Sequence, residues 1–176
     1  MQYPRIPAIR QNWLAFRDRM QRDEMCGVVA AIWVKRARGG PMDSVDEADL
    51  VPGRGVAGSA DQGGKRQVTL IEQEVWDELM RETGGSISPS ARRANLLVKG
   101  FPLLESRGRI ARIGHCRIRI HGETRPCEQM DEALPGLREA MRKPWAGGAF
   151  AEILEGGRIR PGDEIAWEPD SGQRRS

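Results

Sequence analysis

The apolar residues of this chain come in short runs, and glycine, proline or charge closes nearly every one. VVAAIWV follows Gly27, RQVTLI spans Arg66 to Ile71, and comparable runs cover Asn95 to Val98, Arg109 to Ile113, Cys116 to His121, Ala149 to Leu154 and Glu164 to Trp167. Runs of this length, rich in β-branched residues and bounded by turn formers, read as strands. VVAAIWV, with no polar interruption, reads as a fully buried one. Many short strands with few helices predict a closed or half-closed β-barrel. The 176 residues are enough to bury roughly 70% of the surface of the unfolded chain, so a core needs no disulfide or metal staple.

Helical spacing is confined to three places. From Pro7 to Glu24, Ile9, Trp13, Phe16 and Met20 recur at helical intervals opposite Arg10, Arg17 and Asp18, the pattern of a helix packed on the outside of a domain. Glu72 to Arg81 repeats it through Val75, Trp76, Leu79 and Met80 before Gly84-Gly85, and a further helix is expected near Gly136 to Arg142. Arg38 to Gln62 reads as one extended loop. Its Gly53-Arg54-Gly55-Val56-Ala57-Gly58 fits a dinucleotide fingerprint in letters only, because no strand precedes it and no helix follows. The expected division is a helical extension over 1–25, a barrel domain over 26–168 and a polar tail over 169–176.

Three cysteines, with no CxxC pair and no secretory leader, predict free thiols, a reducing compartment and a cytoplasmic location. No 18 apolar residues run together, so no membrane span is expected. Cys116 lies in His115-Cys116-Arg117-Ile118-Arg119-Ile120-His121, whose alternation puts it on the apolar face. The two histidines, about 20 Å apart along an extended strand, cannot share an ion. Cys26, beside an apolar strand, reads as core. Cys127 differs: it follows Thr124-Arg125-Pro126 just after a strand, and an arginine near a thiol favours the thiolate, which is both nucleophile and metal ligand.

Of 28 cationic side chains only Lys35, Lys65, Lys99 and Lys143 are lysines, leaving 24 arginines. Arginine suits bidentate recognition of phosphate and carboxylate. Lys65 and Arg66 follow Gly63-Gly64, and Arg92 and Arg93 precede Asn95, each group at the start of a strand. Such positions suit an anion, although a chain this rich in arginine also yields solvated ones.

In order and spacing, GGKRQVTLIEQE, ARRANLLVKGFPL, GRIARIGHCRIRIHGETRPCEQMDEALPGL and WAGGAFAEILEGGRIRPGDEI together resemble the MOSC domain. That module closes eukaryotic molybdenum-cofactor sulfurases and also occurs as small stand-alone bacterial proteins. The resemblance runs from about Gly27 to Glu168. It implies a mostly β barrel related to the barrel domain of pyruvate kinase. It also implies a cysteine that carries sulfane sulfur or ligates molybdenum, which falls on Cys127 in the Thr124-Arg125-Pro126-Cys127 element. Arg66, Arg93 and Asn95 then line the pocket for the pterin phosphate, with Lys65, Thr124 and Arg125 beside them. One departure is that relatives often carry Gly-Asp-His before the Gly-Gly pair, where this chain reads Gly58-Ser59-Ala60-Asp61-Gln62. The desulfurase domain of the eukaryotic enzymes is missing, so no pyridoxal phosphate is expected.

The expected function is binding of molybdenum cofactor through the Cys127 thiolate, supporting reduction of N-hydroxylated compounds with electrons from a separate reductase. Two alternatives stand beside it. Cys127 could carry a persulfide from a separate cysteine desulfurase to a metal–sulfur centre, which needs the same accessible thiol. The other is an arginine-rich barrel that binds nucleotides or nucleic acid. Against it, exposed stacking rings are needed, and Trp33, Trp76 and Trp167 sit in apolar patterns that read as core.

Overall fold

The computed structural model describes residues 13–18, 26–60 and 63–169. In chain order the elements are α1 (13–18), β1 (Cys26–Lys35), β2 (Met42–Val45), β3 (Ala48–Val51), β4 (Gly55–Val56), β5 (Val68–Glu72) and α2 (Gln73–Thr83). A 3-10 turn (Pro89–Arg92) follows, then β6 (Leu96–Lys99), β7 (Ile110–Ile113), β8 (Cys116–Glu123), α3 (Gln129–Ala133) and α4 (Leu137–Ala140). β9 (Ala149–Glu155), β10 (Gly157–Ile159) and β11 (Glu164–Trp167) complete the chain.

Seven strands close a barrel in the order β11-β7-β8-β9-β5-β6-β1, with β1 returning to β11. Closure removes the exposed sheet edges that invite aggregation. β1 manages it by dividing one edge between two partners. Cys26 to Val28 pair with β11, and Ile32 to Lys35 pair with β2, which lies outside the ring. β5 and β6 form the one parallel pair among the described residues. Parallel neighbours need a crossover, and α2 with the 3-10 turn provides it.

Two apolar cores result. Val29, Ile32, Leu70, Leu96, Val98, Ile118, Ile120, Ile153 and Ile165 fill the barrel. Trp33, Ile71, Trp76, Leu79, Leu97, Met130 and Leu137 pack the helices onto its outside. Each such side chain contributes roughly 1.5–3 kcal/mol on burial. Trp33, Trp76, Trp167 and Cys116 are buried as their patterns imply.

Several sequence expectations need correction. The run after Gly27 is only half buried: Val28 is 40% exposed, and the apolar inner face begins at Val29. Cys26 is exposed, because β11 covers the edge of β1 there and not its outer face. Arg38 to Gln62 is not one loop. β3 pairs with β4 and β10 in a small second sheet, while β2 extends the large one. These strands are two to four residues long, too short for alternation to show. Asp61 and Gln62 lie outside the described residues.

The outward face assigned to the first helix is also corrected, for Arg17 is fully buried. Its two terminal nitrogens donate to Glu72 at 2.9 and 2.8 Å, and Glu72 also accepts the Leu103 amide at 3.0 Å. Burial holds the Glu72 carboxyl above the ordinary glutamate value even against Arg17. Trp13 is buried beside this pair and donates to the Pro144 carbonyl. Ile9, Arg10 and Met20 lie outside the described residues.

Breaking a buried pair from one side strands the other charge. Arg17→Ala is therefore expected to cost about 3–5 kcal/mol in urea unfolding, and Arg17→Met with Glu72→Leu to cost less. On the barrel's exterior, Arg117 donates to both Glu168 oxygens at 2.6 and 2.9 Å and holds that carboxyl below the ordinary value of 4.5. A depressed carboxylate stabilises the fold above its unfolded value, and that gain is lost as pH falls through the folded one. Glu168→Gln should accordingly flatten the acid limb of the stability curve below pH 4.5, as followed by thermal unfolding across pH.

Candidate functional site

The start of β6 and the turn after β8 bring the predicted residues together. Ser88 caps the 3-10 turn by accepting the Ser90 amide, and the turn ends in Arg93 with φ 64°, a left-handed conformation rarely taken outside glycine. The reversal sends the neighbouring arginines apart. Arg93 is half-buried and lines a cavity of about 90 Å3 with Lys35, Ser59, Arg66, Gln67, Thr69 and Asn95. Arg92 is 7% exposed and turns the other way.

Among the described residues none that lines that cavity is acidic, and no carboxylate pairs with Arg66 or Arg93. Its volume is roughly three times the share of one liquid water, about 30 Å3. That is room for a phosphate-sized group and not for a ring system. Asn95 works in the wall. Its Oδ1 accepts the Thr69 amide and hydroxyl, both at 3.1 Å, and its Nδ2 donates to the Trp33 carbonyl at 3.3 Å. Gln67 pins the glycine-rich segment, accepting from Gly53 and Ile153 and donating to Gly64.

Arg93 also lines an open groove of about 520 Å3, walled by Met42, Ala91, Gln129 and Glu132. Cys127 stands at the Gln129 side, exposed, with its Sγ 3.9 Å from Gln129 Oε1. Thr124 is buried and holds the base of the Cys127 turn: its hydroxyl donates to the Gly147 carbonyl at 2.5 Å and its amide to Gly148 at 2.9 Å. No side chain fits at Gly147, where a Cβ would lie 1.9 Å from the Thr124 carbonyl oxygen. The Gly-Gly pair is therefore the seat of the Thr124 grip.

Two arginines stand at the Cys127 turn. Arg125 is 85% exposed and turns to Glu123 at 3.6 Å, since Pro126 and the buried Thr124 leave it pointing to solvent. Arg92 is the buried one. It donates to the carbonyls of Gly147 at 2.9 Å and Arg125 at 3.2 Å, and its pKa is lowered to about 10, chiefly by burial, with the Cys127 anion opposing and Arg66 reinforcing the shift. Lys65 is exposed on the Gly63-Gly64 turn and does not line the cavity. Lys35, Ser59, Gln67 and Thr69 were not foreseen; the only trace was a lysine, scarce in this chain, at the end of an apolar strand.

A larger cleft of about 870 Å3 lies across the Thr124 to Pro126 turn from α4. Three of its four cations are paired within it, Lys143 with Glu82, Arg142 with Glu139 and Arg125 with Glu123, and the fourth, Arg138, turns to Glu128 outside the lining. Among the described residues no three His, Cys, Asp or Glu side chains converge for a metal.

The sequence pattern of the MOSC domain matches residues 38–166. The chain belongs to the MOSC domain family. No functionally curated protein matches its sequence. Among solved structures, the YuaD protein of Bacillus subtilis superposes with a TM-score of 0.67 at 21% identity, over 80% of this chain and 94% of that one. YiiM of Geobacillus stearothermophilus gives 0.65 at 17% identity, over 85% and 79%. YiiM of Escherichia coli gives 0.62 at 17%, over 83% and 72%. These likenesses establish the MOSC barrel for this chain.

If the cavity of this MOSC domain is an anion site, its unpaired arginines carry the affinity. Arg66→Ala and Arg93→Ala should each weaken pyrophosphate binding about tenfold, the scale of one charge-assisted contact. Arg125→Ala should leave it unchanged. Isothermal titration measures all three.

Proposed function

We propose that this protein binds molybdenum cofactor, with the cofactor's phosphate in the cavity of Lys35, Arg66 and Arg93 and the Cys127 thiolate as the protein ligand to the metal. The observation that carries this reading is a cavity of one lysine and two arginines with no carboxylate among its described lining residues, together with an exposed thiol at Cys127 beside Gln129, which walls a groove that Arg93 also lines. The family is associated with this cofactor, and the donor set is consistent with it. A soft thiolate suits molybdenum. With no cluster of three ligating side chains among the described residues, a metal held at Cys127 must arrive with its remaining ligands on its own cofactor. The cavity takes a phosphate alone, so the ring system belongs in the groove.

When bound, the molybdenum centre supplies two-electron redox chemistry suited to removing oxygen from N-hydroxylated compounds. The chain's own residues bind and orient. Lys35, Arg66 and Arg93 hold the anionic end, Asn95 and Thr69 keep the cavity wall in register, and Thr124 holds the Cys127 turn. Electrons then come from a separate reductase in the cytoplasm. The exposure of Cys127 also favours a second reading, in which a cysteine desulfurase delivers sulfane sulfur to it. The burial of Trp33, Trp76 and Trp167 argues against a stacking platform for nucleic acid.

Wild type and Cys127→Ala, purified from a host that makes the cofactor, should differ in metal. Molybdenum and pterin are expected together in the wild type, with most molybdenum lost from the variant. Wild type free of both would sink the cofactor reading, and equal molybdenum in the two would remove Cys127 as a ligand.

A further inference from the structure

Arg92 is a buried guanidinium whose hydrogen-bond partners among the described residues are both neutral. Its Nε donates to the Gly147 carbonyl and its Nη2 to the carbonyl of Arg125, two residues before Cys127. Among the described residues no carboxylate pairs with it. Burying a full positive charge against main-chain carbonyls is costly, and what it gains here is geometry: one planar fork reaches two carbonyls of different segments, which a single neutral donor cannot do.

The placement is equally specific. Gly147 accepts from both Arg92 and the Thr124 hydroxyl, so one carbonyl anchors the turn from two directions. A Cβ at Gly147 would stand 3.4 Å from Arg92 Nη2, so the fork fills the space a side chain would take. The left-handed Arg93 sends the next guanidinium to the anion cavity. Adjacent residues of one turn thus address the two halves of the site.

We propose that Arg92 is a positioning residue for Cys127: its guanidinium fork fixes the Thr124 to Cys127 turn by bridging two main-chain carbonyls, those of Gly147 and Arg125. The proposal rests on the reading of Cys127 as the working thiol. Arg92 touches no substrate in this account and acts through the turn.

The test uses the full chain in a Cys26→Ser background, with a nitroxide on Cys127 reporting the motion of that position and hydrogen exchange reporting the Thr124 and Met130 amides. Those amides donate to Gly148 and Cys127. Arg92→Ala should sharpen the nitroxide spectrum and speed exchange of the Thr124 amide about tenfold or more. Millimolar guanidinium, which can bridge the same two carbonyls, should restore both. Arg92→Lys keeps the charge but cannot bridge both carbonyls, so it should fall between wild type and Arg92→Ala. Should Arg92→Ala fail to fold, Arg92→Lys carries the test alone, and wild-type behaviour in it overturns the proposal.

Unchanged nitroxide motion and exchange in a folded Arg92→Ala would also overturn it. Molybdenum content of unlabelled protein separates this inference from the cofactor reading. A freed turn in Arg92→Ala with no molybdenum in wild type leaves positioning standing and the reading failed. Molybdenum equal in both proteins, with an immobile nitroxide, does the reverse.

Discussion

The parallel pairing of β5 with β6 governs the arrangement of this molecule. Antiparallel neighbours can be joined by a tight turn, but parallel ones require the chain to travel back outside the sheet. Here the return is α2 and the 3-10 turn. α2 covers the barrel's flank with Val75, Trp76 and Leu79. The turn delivers Arg92, Arg93 and Asn95 to the start of β6, next to β5, where Arg66 and Thr69 already stand. A hairpin at this position would bring no arginine pair to the rim.

The second half of the site depends on close approach. Thr124 reaches the Gly147 carbonyl only because Gly147 carries no side chain. From there the contacts run to α1: the segment through Pro144 accepts Trp13, and Trp13 packs beside the buried pair of Arg17 and Glu72. The turn that presents Cys127 is thus braced by residues far away in sequence.

Much of the barrel was legible in the chain because its strands are apolar enough and long enough to alternate. β8 is the clearest case, with Cys116, Ile118 and Ile120 inside and Arg119 exposed. Pairing was not legible, and so β2, β3 and β4 disappeared into an apparent loop: two to four residues carry no period. Burial of Arg17 was hidden for a different reason. Helical spacing puts a charged residue outside unless its counter-charge is known to wait below, and Glu72 is 55 residues away. In the site, Cys127, Arg66, Arg93 and Asn95 were reached by likeness to a family, and the structure gathers the last three around one cavity. The burial of Arg92 against the Cys127 turn was beyond reach, since it turns on the left-handed backbone at Arg93.

β1 carries a practical consequence. Family likeness by sequence begins at residue 38, after β1 has ended at Lys35. Yet this strand touches β11, β6 and β2 and supplies the seam along which the cylinder shuts. A fragment trimmed to the recognisable segment would expose the edges of three strands, strip Lys35 from the anion cavity and leave Glu72 without its cation. The boundary that comparison draws and the boundary that folding needs are different places in this chain, and any shortened version has to respect the second.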